Sequence, residues 1–343
     1  MNNKRTSWKK IALSVLCVIL SIILIFLIAV AVFMDRVLSM IRREDPIQST
    51  LSSDELAELL KPDVTRGEDF TGPTFDYAEI TMPPEASEII ESSHTINILL
   101  IGQDRRTNSG RSLSDSMILC TINKQKKTLT MTSFLRDTYV QIPGYGNNKL
   151  NVPYPIGGMA LLDKTLQVNF GVHVDGNVEV DFSQFSKIVD YLGGVDIELT
   201  YNEAVHLNEG YGFALRQGMN HLNGEQALAY SRIRYIGTDF GRANRQRTVL
   251  TALLNQFRNA SLAQLTETLT GILGLITTDM SDAQILKYAT ELAPLLKDLK
   301  IVSQTIPVEG SYHFGDVSDY NIVDCIFIDF EVNRKLLADT LGE

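Results

Sequence analysis

A strand-like apolar run, Ile96-Asn97-Ile98-Leu99-Leu100-Ile101, ends at Gly102 and opens the largest part of the chain. Two similar runs follow at 116–123 and 128–134, and the polar residues 124–127 between them suit the exposed turn of a hairpin. Apolar residues then recur at helical spacing over 159–170. Because strands and helices alternate from there to the C-terminus, the sequence predicts an α/β fold: a layered α/β/α domain over residues 95–343 with a mixed central sheet.

The other predicted elements of this domain follow from the same periodicities. Further strands are expected at about 176–182, 195–199, 300–306 and 322–329. Helices are expected at about 183–192, 223–233, 241–259, 261–275 and 282–297, with a final helix at the C-terminus. The leucines of the helices after Val249, including Leu262 to Ile276, could line an apolar groove for a prenyl chain beside the sheet; the alternative is that they belong to the core.

Composition excludes two classes of protein. The 343 residues include 44% hydrophobic and 21% charged residues, which is the range of globular proteins and not of disordered ones. The formal net charge is −10, and residues 95–343 hold 22 basic and 27 acidic groups, a net charge of −5. Without a basic excess, we expect no nucleic acid among the partners.

The N-terminal region predicts a membrane anchor. Residues 11–34 form an uncharged, apolar stretch of 24 residues, which is long enough for a helix to cross a bilayer core of roughly 30 Å. The tail at 1–10 contains four basic residues and no acid, so the positive-inside rule places it in the cytoplasm and the C-terminal domain outside the cell. The alternative is a signal peptide cleaved near Ala29-Val30-Ala31.

An acidic segment connects the anchor to the large domain. Residues 44–94 hold thirteen acidic and two basic groups together with five prolines. Such a composition keeps a chain extended, so residues 35–94 are predicted to form an extracellular stalk.

The most informative stretch for chemistry is 232–247, which contains five arginines, one acid and no lysine. Arginine suits bidentate recognition of phosphate oxygens, and a helix that begins after Gly241 would add the partial positive charge of its N-terminus. Arg242 and Gln246 would then lie one turn apart on one face of that helix. This pattern predicts a polyphosphate site; the alternative is a solvated basic face with local ion pairs.

Two further clusters lie at strand ends. Asp104 follows the first strand, and Arg111 and Asp115 lie in the loop that leads into the second. Two carboxylates beside an arginine-rich loop suit a hard divalent cation that also binds phosphate, although a loop ion pair would give the same pattern. Arg136-Asp137 follows the third strand and would bring another guanidinium to the same sheet edge, or would only pair locally.

The order of these motifs resembles the LytR-CpsA-Psr family of cell-wall ligases, over about residues 95–340. The resemblance rests on Asn97 to Gly102 with Asp104, Arg136 to Val140, Lys149-Leu150-Asn151, Gly157-Gly158, Leu192 to Asp196, Ala227 to Arg232 with Arg234, and Asp239-Phe240-Gly241-Arg242 with Arg245-Gln246. This sequence departs from the family pattern at Leu113-Ser114, which intervene before Asp115, and at Leu135, which replaces a common proline.

The resemblance implies a phosphotransferase that moves a glycopolymer, such as teichoic acid or capsule, from a polyprenyl-pyrophosphate carrier to peptidoglycan through a phosphodiester. It implies that Asp104 and Asp115 bind Mg²⁺ or Mn²⁺. Asp239 would orient arginines or accept a proton from the attacking hydroxyl. The implied pyrophosphate-binding residues are Arg111, Arg136, Arg232, Arg234, Arg242 and Gln246.

Three other functions stay open on the sequence alone. A non-catalytic receptor or attenuator could bind a polyprenyl phosphate at the same residues. A hydrolase could cleave prenyl pyrophosphates with water as the acceptor. An intracellular DNA regulator is disfavoured by the anchor and by the negative charge of the domain.

Overall fold

The computed structural model describes residues 32–44, 74–75, 82, 88–104, 111–259, 270–317 and 322–342. The predicted cytoplasmic tail, most of the predicted anchor and most of the predicted stalk lie outside these residues. Within the described ranges, no helix combines the length and apolar character needed to cross a membrane.

The strands and helices are numbered here in chain order. The strands are β1 Arg42–Arg43, β2 Thr74–Phe75, β3 Thr95–Gln103, β4 Ser114–Asn123, β5 Thr128–Phe134, β6 Tyr139–Ile142, β7 Gly146–Lys149, β8 Gly176–Asp181, β9 Val195–Leu199, β10 Gly218–Leu222, β11 Thr277–Thr278, β12 Lys300–Ile306, β13 Tyr312–Val317 and β14 Ile322–Ile328. The helices used below are α1 Pro153–Phe170, α2 Phe182–Tyr191, α3 Tyr201–Tyr211, α4 Gly224–Ser231, α5 Thr238–Asn259, α6 Asp282–Leu292 and α7 Phe330–Leu341.

A seven-stranded mixed sheet is the centre of the fold, in the order β1-β11-β8-β3-β4-β5-β12. Strands β3, β4 and β5 form an antiparallel meander, whereas β8 is parallel to β3 and β12 is parallel to β5. The predicted mixed central sheet is therefore confirmed, and the strands predicted at 96–101, 116–123, 128–134 and 300–306 are β3, β4, β5 and β12.

Helices cover both faces of this sheet. Leu99 and Ile101 of β3 face a core shared with α1 and α7, while Leu100 packs on the opposite face with residues of α5 and α6. Because side chains alternate along a strand, a continuous apolar run is what a strand buried on both faces requires. The apolar run that opens the domain, in which Asn97 is the one polar residue between Ile96 and Ile101, is explained by this burial.

Several elements differ from the sequence prediction. Among the described residues, the strand at 195–199 pairs with β10 in a separate two-stranded sheet, and β13 and β14 form another sheet with β2. Helix α5 begins at Thr238 rather than at residue 241, and α6 ends at Leu292 rather than at 297. The predicted helix at 159–170 is the second part of α1, which is interrupted at Gly157 and Gly158, where φ of Gly158 is 64°. Of the predicted helix at 261–275, residues 260–269 lie outside the described residues.

Strand β1 lies within the segment predicted as a stalk. Arg42–Arg43 pair in parallel with β11, and the Arg43 guanidinium binds the carbonyl of Met280 (2.5 Å) and the Asp282 carboxylate. The backbone N–H of Glu44 donates to the Thr278 carbonyl at 2.9 Å. A two-residue strand has no periodicity that a sequence could reveal, so this edge of the sheet was not predicted.

A buried carboxyl group lies near the same edge. Asn177 of β8 donates from Nδ2 to Asp163 of α1 and to Asp279, at 2.8 Å each. Burial raises the pKa of Asp163 to about 8, and the negative charges of Asp279 and Glu44 add to the effect of burial. Folding therefore places Asp163 where its neutral form is favoured.

Replacing Asp163 with Asn is expected to flatten the dependence of stability on pH. The pKa of Asp163 is raised above its ordinary value of 3.8, so the folded protein binds a proton there that the unfolded chain has released. This contribution is fully present below about pH 4 and is lost as pH rises to about 8. Melting temperatures of the full-length protein between pH 5 and 8.5 test this. Asp298→Asn, at a residue whose side chain is 60% exposed, is the control. Equal pH slopes for wild type and Asp163→Asn would contradict the assignment.

Candidate functional site

Three strand ends meet at one edge of the central sheet. In the antiparallel register Gly102 faces Ser116, and Met117 faces Phe134. The end of β3, the start of β4 and the end of β5 therefore lie side by side, which brings Asp115 and Arg136 together as the sequence predicted. Asp104 follows β3 at the same edge.

Arg136 and its neighbours form a chain of buried charges. Its Nη1 donates to Asp115 Oδ1 at 2.5 Å, and its Nε donates to Asp137 Oδ2 at 3.2 Å. The other carboxylate oxygen of Asp137 accepts from Lys149 Nζ at 3.0 Å. All four side chains are less than 20% exposed. Ion pairs in such surroundings are weakly screened, so these groups hold one another in place.

The first turns of α5 pack against the ends of β4 and β5 and complete the site. Asp239 lies in the first turn, and its Oδ1 accepts from Arg242 Nη2 at 3.0 Å. One turn later, Gln246 Oε1 accepts a hydrogen bond from Ser116 Oγ at 3.0 Å. The predicted placement of Arg242 and Gln246 on one helix face is thereby observed, and both residues line a small cavity between β4, β5 and α5 together with Arg136.

Arg242, which lines this cavity, has an unsatisfied donor. Its side chain is 6% exposed, and its Nη1 atom is buried without a hydrogen-bond partner among the described residues. Burial lowers the pKa of Arg242, and the positive charges of Arg136 and Arg234 lower it further. A buried guanidinium with a free donor and positive neighbours provides a site for an anion.

The acids of the site have opposite pKa shifts. Burial alone would raise the pKa of Asp137, but the charges of Lys149 and Arg136 outweigh it and hold this pKa at about 2. Burial raises the pKa of Asp239, and the nearby Asp137 charge adds to it against the opposing charge of Arg242. The directions of these two shifts make Asp137 the stronger acid of the pair.

Arg232 and Arg234 approach from the segment after α4. The Arg232 guanidinium lies 4.6 Å from the centre of the Phe182 ring, and its Nη2 is 3.4 Å from Asp104 Oδ2. Arg234 is exposed, and its charge reaches Arg242. Stacking on an aromatic ring limits the motion of a guanidinium, so Arg232 is held at the rim of the site.

The other two arginines of the 232–247 stretch have structural roles. Arg245 Nε donates to Glu203 of α3 at 2.7 Å, and its Nη1 donates to the Ile233 carbonyl at 3.0 Å. Arg247 Nη1 donates to Ser133 Oγ at 2.6 Å. Arg245 thus fastens the segment that presents Arg232 and Arg234.

Arg111 lies apart from the other predicted site residues. It forms an ion pair with Glu44 at 2.9 Å, and a Cβ atom at Gly158 of α1 would collide with both side chains. Arg111 does not line the cavity that Arg136 and Arg242 share. Arg111 lies in the loop that departs from the family pattern, where Leu113 and Ser114 are inserted before Asp115.

The predicted metal ligands lie near arginines. Asp104 faces Arg232 and Asp115 faces Arg136, on neighbouring strands of the sheet. Among the described residues, no group of three or more His, Cys, Asp or Glu side chains could hold a metal ion. A cation at Asp104 and Asp115 would thus need further oxygen ligands from a bound phosphate and from water, which is the usual arrangement for magnesium.

An apolar cavity of about 130 Å³ adjoins the charged site. It lies between the sheet and helices α2, α4 and α5. It is lined by Leu100, Ile101, Gly102, Ser116, Ile118, Val178, Val180, Phe182, Phe185, Leu228, Ser231, Gln246 and Leu250. Ser116 and Gln246 line both this cavity and the smaller charged one. The apolar cavity therefore adjoins the cavity lined by Arg136 and Arg242, and the polar side chains of Ser116 and Gln246 lie between them.

The sequence of this chain matches a known family. A sequence model of the LytR_cpsA_psr family matches residues 68–325, and the chain is therefore a member of the LytR-CpsA-Psr family.

Relatives with names and solved structures agree with this assignment. The regulatory protein MsrR of Staphylococcus aureus is 32% identical over 257 residues, which are 74% of this chain and 76% of MsrR. The polyisoprenyl-teichoic acid–peptidoglycan teichoic acid transferase TagU of Bacillus cereus is 32% identical over 65% of this chain and 72% of its own. The crystal structure of Bacillus subtilis TagT has a TM-score of 0.59 and 26% identity, and the match covers 77% of this chain and 99% of TagT.

A further similar structure was solved with a lipid. It is the family protein YwtF (TagT) with bound octaprenyl pyrophosphate lipid, which has a TM-score of 0.57 and 25% identity. The match covers 77% of this chain and all of that one.

Sequence reasoning missed three contributors to the site. Lys149 was noted only as part of a motif, and Phe182 was assigned to a strand end. Glu203 lies on α3, which was not predicted, although Thr200 and Glu203 have the spacing of a helix capping box and do form one. This capping-box spacing could have predicted that α3 begins after Thr200. It would also have drawn attention to Glu203, which binds Arg245.

We expect the Arg245→Ala and Arg234→Ala variants to differ in their free energy of unfolding. Arg245→Ala leaves the buried Glu203 carboxylate unpaired, so we expect a loss of about 3–5 kcal/mol in the free energy of unfolding. Arg234→Ala removes an exposed side chain and should change stability by no more than about 0.5 kcal/mol. Urea denaturation of the full-length protein measures both, and similar losses in the two variants would refute the division into structural and site arginines.

Proposed function

We propose that this protein is a phosphotransferase that moves a glycopolymer from a polyprenyl-pyrophosphate carrier to peptidoglycan and forms a phosphodiester. The observation that carries the proposal is the apolar cavity that meets the Arg136–Arg242 cavity at Ser116 and Gln246. A prenyl pyrophosphate has an apolar chain, which matches the apolar cavity, and an anionic end, which matches the arginines. The transferase name of TagU and the octaprenyl pyrophosphate in TagT support the same ligand class.

The side chains around the charged cavity include donors that suit a phosphate group. The unpaired Nη1 of Arg242 supplies a buried donor, and Arg136 lines the same space. Fixed guanidinium groups stabilise the negative charge that develops on transferring and departing phosphates, and they need no rearrangement during the reaction. Arg232 and Arg234 would add charge at the rim, and Gln246 would donate its amide to the same oxygens.

The proposed reaction is an in-line displacement at phosphorus. A sugar hydroxyl of the acceptor attacks the phosphorus nearest the glycopolymer, a new P–O bond forms, and the bond to the bridging oxygen breaks. Polyprenyl phosphate leaves with the electron pair of that bond. Asp239 in its ionised form would take the hydroxyl proton, and its raised pKa makes it a stronger base than an ordinary aspartate.

Asp104 and Asp115 are the residues that would hold Mg²⁺ or Mn²⁺. Both are carboxylates at neighbouring strand ends beside the arginine cluster. The metal would supply additional positive charge for the pyrophosphate oxygens.

The proposed location is the outer face of the cell membrane. Residues 11–34 would anchor the chain in a single pass, with residues 1–10 in the cytoplasm and the catalytic domain outside. The donor and the acceptor would both be available there. Whether the glycopolymer is teichoic acid or capsule is decided by the donor that the assay below accepts.

Arg242→Ala is expected to abolish transfer while the protein stays folded. The test uses the full-length chain, a synthetic prenyl-pyrophosphate oligosaccharide, a peptidoglycan oligomer and magnesium, with mass spectrometry of the products. We expect a phosphodiester-linked conjugate from wild type and a loss of at least roughly 100-fold in the variant, because a buried donor to the transition-state charge is removed. Lys126→Ala, in the turn between β4 and β5, is the control.

The products also separate the competing functions. Phosphorylated glycan released without acceptor would identify a hydrolase. Bound but unchanged lipid, retained in Asp104→Ala and Asp115→Ala variants, would identify a receptor. Either result would refute the transferase.

Filling the apolar cavity should weaken lipid binding selectively. Val180→Phe adds a ring to the cavity wall, so the affinity for farnesyl pyrophosphate should fall roughly tenfold or more while the affinity for inorganic pyrophosphate stays unchanged. Calorimetry with both ligands measures this. The matched control is Val302→Phe, on a side chain of the same sheet that is 37% exposed. Unchanged farnesyl pyrophosphate binding in Val180→Phe would show that the prenyl chain lies elsewhere.

A further inference from the structure

The loop Lys149-Leu150-Asn151 is a motif without an assigned role, and it touches both strand ends of the site. The backbone N–H of Asn151 donates to the Arg136 carbonyl at 3.1 Å, and the Asn151 carbonyl accepts from the N–H of Ser114 at 3.4 Å. The N–H of Leu150 donates to the Thr138 carbonyl at 2.8 Å. This loop therefore connects the residue before Asp115 with Arg136 itself.

Lys149 adds a charged contact to this backbone bridge. It ends β7, its side chain is 11% exposed, and its Nζ lies 3.0 Å from Asp137 Oδ1. Asp137 uses its other oxygen to accept from Arg136 Nε, and Arg136 uses Nη1 to reach Asp115. Two contacts on different edges of a planar guanidinium fix its orientation, and they leave Nη2 for a ligand in the cavity that Arg136 lines.

We propose that Lys149, acting through Asp137, is a positioning residue that aims the Arg136 guanidinium at the pyrophosphate of the donor. The proposal rests on the function proposed above. Lys149 itself does not line the Arg136–Arg242 cavity, so it is not a catalytic residue.

The charge balance explains why a lysine is needed at this position. Without Lys149, Arg136 is the nearest cation to the buried Asp137 carboxylate. Arg136 then donates more of its N–H groups to Asp137. The guanidinium then turns toward Asp137 and away from the ligand. Lys149 occupies the far oxygen of Asp137, so that Arg136 binds Asp137 through Nε alone.

The test is a double-mutant cycle on ligand binding by the full-length protein. Binding of inorganic pyrophosphate and of farnesyl pyrophosphate is measured for wild type, Lys149→Met, Arg136→Ala and the double variant. If Lys149 acts through Arg136, Lys149→Met weakens binding roughly tenfold in wild type, the loss expected for one charge-assisted hydrogen bond, and less than about twofold in the Arg136→Ala background. Additive losses would overturn the proposal, because a purely structural lysine has no reason to depend on Arg136.

Two further variants complete the design. Lys149→Arg keeps the charge and should retain most of the affinity. Should Lys149→Met fail to fold, Lys149→Met combined with Asp137→Asn removes both buried charges, and its loss of binding should again disappear in the Arg136→Ala background. Lys124→Met is the control, since Lys124 forms an ion pair with Glu291 at 3.0 Å elsewhere on the protein.

The outcomes separate this inference from the function on which it rests. A wild-type protein that binds neither pyrophosphate refutes both. Binding with additive losses refutes only the role of Lys149. Binding with coupled losses but without transfer supports the positioning role and refutes the transferase reaction. In the transfer assay, Lys149→Met should raise KM for the donor and leave KM for the acceptor unchanged.

Discussion

The antiparallel register of β3, β4 and β5 is the constraint on which the site depends. It places the end of one strand beside the start of the next, so residues far apart in the chain become neighbours without any long loop. The same strands are buried on both faces, and a shift of one residue would exchange every side chain between those faces. Core packing therefore fixes the positions of Asp115 and Arg136 as firmly as it fixes the fold.

Charge compensation is the second principle of the site. Asp115, Asp137 and Asp239 each contact an arginine, and Lys149 balances the most deeply buried of these acids. Arg242 lacks a complete set of partners among the described residues, because its Nη1 is buried without a hydrogen bond. The protein thus keeps its cations ordered without a ligand and still retains one strong donor for it.

The sequence predicted the parts of the fold that obey simple periodicity. Strands β3, β4, β5 and β12 are long and apolar, and their positions were correct to within a few residues. Strands β1, β6 and β7 were missed because two to four residues, such as Gly146-Asn147-Asn148-Lys149, contain too few side chains to show alternation.

The site was predictable to a similar degree. Residue type and motif order placed Asp115, Arg136, Arg242 and Gln246 in one predicted site, and the structure brings these four together. The resemblance selected Arg242 and not Arg245, and the structure supplies a physical reason: both lie on α5, and packing brings Arg245 to Glu203. The position of Arg111 also depended on Glu44, about 70 residues away in the chain.

The pairing of Arg42–Arg43 with β11 fixes this part of the chain to one edge of the central sheet. If the membrane span ends near Met34 as proposed, only the seven residues 35–41 separate it from the central sheet, and several of them are helical. Such a segment reaches roughly 15–25 Å at most. The domain could then work only within a thin layer above the lipid headgroups, so acceptor strands would have to be wall material newly made at the membrane surface, and mature outer layers would lie beyond its reach.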